Sequence, residues 1–146
     1  MLTTKVLSFN NLSVKQLYDI LQLRSEVFVV EQDCVYQDID SKDQKALHVL
    51  GIKNDEIVAY TRVFKPGDYA EKASIGRVVV KENERKHNYG NTIMEASINA
   101  IKQHFNEVTI ELSAQCYLLK FYNNLGFKET GTEYLEDGIP HIKMMS

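Results

Sequence analysis

The segment Arg85-Lys86-His87-Asn88-Tyr89-Gly90-Asn91 sets three basic side chains, a residue that tolerates positive φ and a glycine directly ahead of an apolar helical pattern. That combination suits an anionic group, phosphate above all. A helix N-terminus presents unpaired N–H groups and a partial positive charge. Gly90 lets the backbone approach a ligand closely, and Arg85, Lys86 and His87 add donors of the right sign. The same residues also describe a solvated charged loop before an ordinary helix. The turn has neither the G-x-G-x-x-G fingerprint nor the Gly-Lys-Ser/Thr of a P-loop, and no magnesium-binding pattern accompanies it. A nucleotide-binding scaffold is therefore disfavoured.

Other reactive residues are scattered. Cys34 and Cys116 form no C-x-x-C pair, so neither a zinc site nor a disulfide framework is expected. Cys116 has no evident base beside it in sequence and reads as a small half-buried thiol. Arg77 interrupts an apolar strand, where it can anchor an anionic group or pair with Glu31. Glu31 ends the first predicted helix, where a carboxylate opposes the helix dipole and calls for a partner or a use. His48 sits within a strand as a core histidine would. His141 follows Pro140 in the last hairpin and can hydrogen-bond a turn. Tyr122 shares an apolar helical face with Leu118 and Phe121, as a core residue does.

The elements that must hold these residues follow from periodicity. Lys5 to Phe9 reads as a short strand. Ser13 caps a helix running to about Glu31, with Leu17, Ile20, Leu21, Val27 and Phe28 on one face. Gln32 to Gln44 is polar, acidic and irregular. Its Asp33, Asp38, Asp40 and Asp43 could attract a cation or simply face solvent. Ala46 to Lys53 and Ile57 to Phe64 form a hairpin, and Ser74 to Val80 a further strand. A helix after Gly90 carries Ile93, Met94, Ser97, Ile98, Ile101 and Phe105. Val108 to Ala114 alternates as a strand. Tyr117 to about Leu125 is helical, with Gly126 as left-handed cap and Phe127 folding back. Lys128 to Leu135 and Ile139 to Met145 pair about Asp137-Gly138. The order β-α-β-β-β-α-β-α-β-β predicts a mixed α/β (α+β) fold with helices covering its sheet.

Composition sets the outer limits. The 146 residues are 44% apolar and 25% charged, which fits one globular domain, 1–146. Seventeen basic residues against twenty acidic give a net charge of −3, which argues against a nucleic-acid partner. No apolar run is long enough to span a membrane, and no secretory signal opens the sequence. A reduced, cytoplasmic protein is the expectation.

The order of pieces, with Arg85, Gly90 and then Phe121-Tyr122-x-x-Leu125-Gly126-Phe127, resembles the GNAT superfamily of acetyl-CoA-dependent N-acetyltransferases. Further stretches resemble its ElaA-like branch. These include Val27-Phe28-Val29-Val30-Glu31-Gln32, Tyr36-Gln37-Asp38-Ile39-Asp40, Ala59-Tyr60-x-Arg62, Ile75-Gly76-Arg77-Val78-x-Val80 and Glu136-Asp137-Gly138-Ile139-Pro140-His141-Ile142. Asn88 and Lys86 stand where the family's turn carries further glycines.

The resemblance implies a mostly antiparallel central sheet with a parallel, splayed strand pair and helices on both faces. It implies acetyl-CoA as cosubstrate, no metal, and acetyl transfer to a primary amine of a small molecule or peptide by direct attack. The residues it marks are Tyr122 as the acid for the departing thiolate, the main chain at Val78 and Val80 for the pantetheine arm, Arg85 through Asn91 for the pyrophosphate, and Gln115 at a pantetheine or acceptor contact. Glu31, His48 and His141 become candidates for the base, and Arg77 for an acceptor contact. The alternative is a non-catalytic acyl-CoA-binding or regulatory domain. Either a monomer or a homodimer is compatible with the sequence.

Overall fold

The computed structural model describes residues 1–106 and 109–146; the predicted strand start at Val108 lies outside the described residues. The strands are β1 (Thr3–Ser8), β2 (Leu47–Lys53), β3 (Glu56–Phe64), β4 (Ala73–Val80), β5 (Ile110–Gln115), β6 (Lys128–Glu136) and β7 (Ile139–Met145). The helices are α1 (Val14–Arg24), α2 (Tyr89–Phe105) and α3 (Leu119–Asn124). They build one seven-stranded sheet in the order β1-β2-β3-β4-β5-β7-β6.

Among the described residues only β4 and β5 run parallel, and they pair at Ala73 with Ile110 and Ser74 with Glu111. Every other neighbouring pair is antiparallel. Both faces of the sheet are covered, so β3 is buried along its length apart from Glu56. Side chains alternate along a strand. Val49, Ala59 and Val63 therefore pack with Ile93, Met94, Ile101, Tyr122 and Phe127 of the α2 and α3 layer. Leu50 and Tyr60 pack on the opposite face with Ile20, Leu23 and Val27 of the first helix and its continuation.

Local chemistry explains most element ends. Ser13 Oγ accepts from the Gln16 N–H at 3.0 Å, and Gln16 Oε1 accepts from the Ser13 N–H at 2.9 Å. This reciprocal cap satisfies two donors that would otherwise be orphaned, worth about 1 kcal/mol. The predicted helix to Glu31 is not uniform. After Arg24 it widens into a π-helical stretch, Ser25–Glu31, and the Gln32 and Cys34 N–H groups bond the carbonyls of Val27 and Val29, five residues back. At the other end of the chain Gly126 adopts φ +97°, and the Phe127 N–H closes on the Tyr122 carbonyl at 3.1 Å. Asp137 and Gly138 both have positive φ, as a tight two-residue hairpin turn demands.

The stretch Gln32 to Gln44 is not the solvated loop that its polarity allows. Asp38 and Asp43 are buried, as are Arg24 and Arg62. Arg24 Nε and Nη1 reach Asp38 Oδ2 and Asp43 Oδ1, both at 2.8 Å. Arg62 donates to the same Asp43 oxygen at 2.9 Å and holds both oxygens of Asp40 at 2.8 and 2.9 Å. Burial alone would raise the Asp40 and Asp43 acidities' midpoints, but the guanidinium contacts outweigh it. Asp40 is held at about 2, and Asp43 is also lowered.

Candidate acyl-transfer site

After Ser74 and Glu111 the two parallel strands separate. The gap opens into a cavity of about 490 Å³ lined by Ile75 to Val80 of β4, Leu112, Ser113 and Gln115 of β5, and residues of both helical layers. The main chain of β4 beyond Ser74 has no ladder partner on that side. It is a ready edge for an extended chain that brings its own amides. A Cβ built on Gly76 would meet nothing within 4 Å, which shows how open this wall is.

A bulge shapes the same strand. Tyr60 pairs with Val79 and Arg62 with Gly76, so Thr61 alone faces Arg77 and Val78. Arg77 takes φ +50°, a conformation that costs a side-chain-bearing residue roughly 1 kcal/mol. Its guanidinium is fixed in compensation: Nε lies 2.7 Å from Asp38 Oδ1, Nη2 donates to the Asp38 carbonyl at 3.0 Å, and Asp40 stands at 3.5 Å. The expected Arg77–Glu31 pair does not form. Glu31 instead receives both terminal nitrogens of Arg85, at 2.5 and 2.7 Å, while Arg85 Nε donates to the Val80 carbonyl at 3.0 Å. Glu31 thus finds a cationic partner against the unfavourable dipole of its helical segment.

The turn before α2 divides in two. Arg85, Asn88, Gly90 and Asn91 line the cavity; Lys86, His87 and Tyr89 do not. His87 stands 3.5 Å from Glu84, and Tyr89 is buried beneath Lys53. Asn88 adopts the left-handed conformation, φ +63°, in the place where the resemblance expects a glycine, and its side chain bonds that of Asn91. Gly90 answers a packing need as well as a ligand's: a Cβ there would lie 3.3 Å from the Phe121 ring. α2 begins at this wall, with Gly90 and Asn91 of its first turn lining the cavity.

Tyr122 lines the cavity from α3 and is 5% exposed. Burial, with a smaller contribution from Tyr117, pushes its phenol well above the ordinary range. It is a protonated donor at neutral pH. Gln115 and His141 are register partners on β5 and β7, and both line the cavity. His48 does not. It is fully buried, with Nε2 on the Asp43 carbonyl at 2.9 Å and Nδ1 on the Tyr60 hydroxyl at 2.6 Å. A carbonyl can only accept, so Nε2 holds the proton and Nδ1 accepts from Tyr60. Burial keeps that ring neutral. Cys116 lies 3.3 Å from Glu133, and its thiol is pushed up rather than activated.

Tyr36, Cys34, Ser113, Glu136 and Asp137 also line the cavity, and none was singled out as a site residue from sequence. Glu136-Asp137 signalled a hairpin and a branch-specific stretch, with no role for either side chain. Among the described residues no cluster of ligands suited to a metal is present, and no helix is long and apolar enough to cross a membrane.

A splayed parallel pair, a bulged β4 and a helix N-terminus at the mouth of the gap define an acyl-transferase class of fold. Residues 12–146 match the model of the acetyltransferase (GNAT) domain, and the chain belongs to that family. It is similar to protein ElaA of Escherichia coli, 46% identical over 140 residues that cover 94% of this chain and 92% of the relative. The crystal structure of Escherichia coli ElaA superposes with a TM-score of 0.92 at 44% identity over 99% of each chain. An acyl-CoA N-acyltransferase from Pseudomonas aeruginosa superposes at 0.94 with 36% identity, again over 99% of each chain. A GNAT family acetyltransferase from Elizabethkingia anophelis, solved with acetyl-CoA bound, shares the fold at 0.66 and 17% identity, over 99% of this chain and 96% of that chain.

Proposed function

We propose that the protein transfers the acetyl group of acetyl-CoA to a primary amine by direct attack. The observation that carries this reading is the opening of β4 from β5 beyond Ser74 and Glu111, which ends at the N-terminus of α2. The fold neighbour that carries acetyl-CoA supports the choice of cosubstrate.

The residues present fit such a ligand. The main chain from Ile75 to Val80, open on its β5 side, holds the pantetheine arm by strand addition. The first turn of α2, with Asn88, Gly90 and Asn91, receives the pyrophosphate. Acetyl-CoA supplies the activated thioester. The chain's own work is to orient the amine, remove its proton and donate one to the departing sulfur. Tyr122 is the donor, since its phenol is protonated and lines the gap. Main-chain N–H groups of the bulged strand polarise the acyl oxygen. A non-catalytic acyl-CoA-binding domain was the rival because the turn lacks a glycine. Asn88 takes the left-handed conformation without one, which supports the coenzyme turn that both readings share; Tyr122 in the cavity wall is what favours the enzyme.

Calorimetric titration of the folded protein with acetyl-CoA, with ATP as control, tests the reading. Saturable one-to-one binding of acetyl-CoA and none of ATP is expected. No binding of acetyl-CoA overturns it.

A further inference from the structure

We infer that the acceptor is a primary amine bearing a second cationic nitrogen, recruited by Glu136 and Asp137 and deprotonated by His141. This inference rests on the acetyl-transfer reading above and specifies the other half of the same cavity.

The charges lining the cavity do not balance once their partners are counted. Arg85 is neutralised by Glu31 through two contacts. Arg77 is neutralised by Asp38 and Asp40. Glu136 and Asp137 remain, and among the described residues neither forms an ion pair with lysine or arginine. Two acidic residues thus line the cavity at the β6–β7 turn without a lysine or arginine partner among the described residues, and the Glu136 carboxylate lies near Ser113 Oγ and His141. The turn is held in place: the Cys34 thiol lies 3.2 Å from the Asp137 carbonyl, tying the segment after the first helix to it. Tyr36 lines the same wall, its ring already engaged by the Arg77 guanidinium 5.9 Å from the centroid.

His141 supplies the second, independent observation. It is 6% exposed yet lines the cavity. Its Nδ1 lies 2.7 Å from the Ile139 carbonyl. The carbonyl must accept, so Nδ1 carries the proton and Nε2 a free lone pair. Among the described residues no hydrogen bond reaches Nε2, and Glu136 Oε2 stands 3.6 Å from it. The groups facing the ring are Glu136 and Tyr134 of β6, the latter stacked at 6.2 Å, and uncharged Gln115 on β5. A buried imidazole whose Nδ1 is tied to a carbonyl and whose Nε2 lone pair is left open at the cavity wall is placed to take a proton from an ammonium.

The step balances. An ammonium R–NH3+ gives one proton to His141 Nε2, and the freed lone pair forms the C–N bond to the acyl carbon. The C–S bond breaks with its electron pair on sulfur, which takes a proton from Tyr122. The second proton leaving nitrogen restores Tyr122, and the first passes from His141 to water. Asp137 holds the distal cation throughout.

Turnover read as free-thiol release from acetyl-CoA, with acetyl-CoA binding measured on every variant, tests this. The acceptors are putrescine, butylamine and γ-aminobutyrate, which differ mainly in the distal group. Putrescine should exceed butylamine by about tenfold in kcat/KM, with γ-aminobutyrate poorest. Glu136→Gln and Asp137→Asn together should erase most of that preference, mainly through KM. His141→Gln should lower kcat about 100-fold with acetyl-CoA still bound, and the deficit should shrink toward the amine's own pKa near ~10. Acetyl-CoA binding without preference for putrescine, without turnover of any of the three, or with a pH-independent His141→Gln deficit, overturns the inference while the coenzyme reading stands. Absence of acetyl-CoA binding overturns both.

Discussion

Arg85 and Glu31 meet in a two-point ion pair, at 2.5 and 2.7 Å, that joins the turn after β4 to the end of the first helical segment. Both residues line the cavity, so the cavity-lining cation of the turn before α2 is already engaged before a phosphate arrives. The pair is partly exposed, with side chains 41% and 30% accessible. Its strength is therefore modest and screened by salt. Glu31→Gln frees the guanidinium and should tighten coenzyme A binding about threefold at low ionic strength, an advantage that fades at high salt. Affinity that falls in this variant would instead show that Glu31 is needed to aim Arg85.

Tyr122 can be separated from the binding machinery. Its ring packs edge-on against Phe121 and Phe127, so Tyr122→Phe preserves the packing and deletes only the oxygen. Turnover should fall ~100-fold while the dissociation constant for acetyl-CoA stays nearly constant. Calorimetry beside a thiol-release assay makes the comparison. Wild-type turnover in this variant removes the phenol from the mechanism.

The parts legible in the sequence are those written in apolar spacing and turn chemistry. Ile93, Met94 and Ile101 mark the buried face of α2, and Gly126 and Asp137-Gly138 mark their turns. What escaped was written in charge. Arg24 falls on the buried face of α1 beside Ile20 and Leu23, and it breaks the apolar pattern while obeying its geometry. Its partners Asp38 and Asp43 lie 14 and 19 positions away in a stretch with no periodicity at all. No local rule pairs residues at that separation. The widening after Arg24 was equally hidden, since Val27 and Phe28 fit a regular helix as well as a π-helical one. The bulge at Arg77 was visible only as a charged residue in an apolar strand, and the partner assigned to it, Glu31, belonged to Arg85.

The buried ion cluster gives the fold a defined acid limit. Asp43 Oδ1 accepts from Arg24 at 2.8 Å and Arg62 at 2.9 Å, and its carbonyl accepts from His48. Its pKa and that of Asp40 are both held below the unfolded value, Asp40 at about 2. A group whose folded pKa is depressed contributes its stability above the unfolded pKa and loses it as pH falls through the folded one. Urea unfolding should therefore show stability steady near neutrality and declining from about pH 5 toward pH 2. Asp43→Asn leaves two buried guanidinium groups short of one negative charge and should cost about 3–5 kcal/mol at neutral pH. The gap between the two proteins should narrow with acidification, because protonation does to wild type what the amide already does to the variant. A gap that stays constant across that range would show that Asp43 contributes by shape and hydrogen bonding, not by charge.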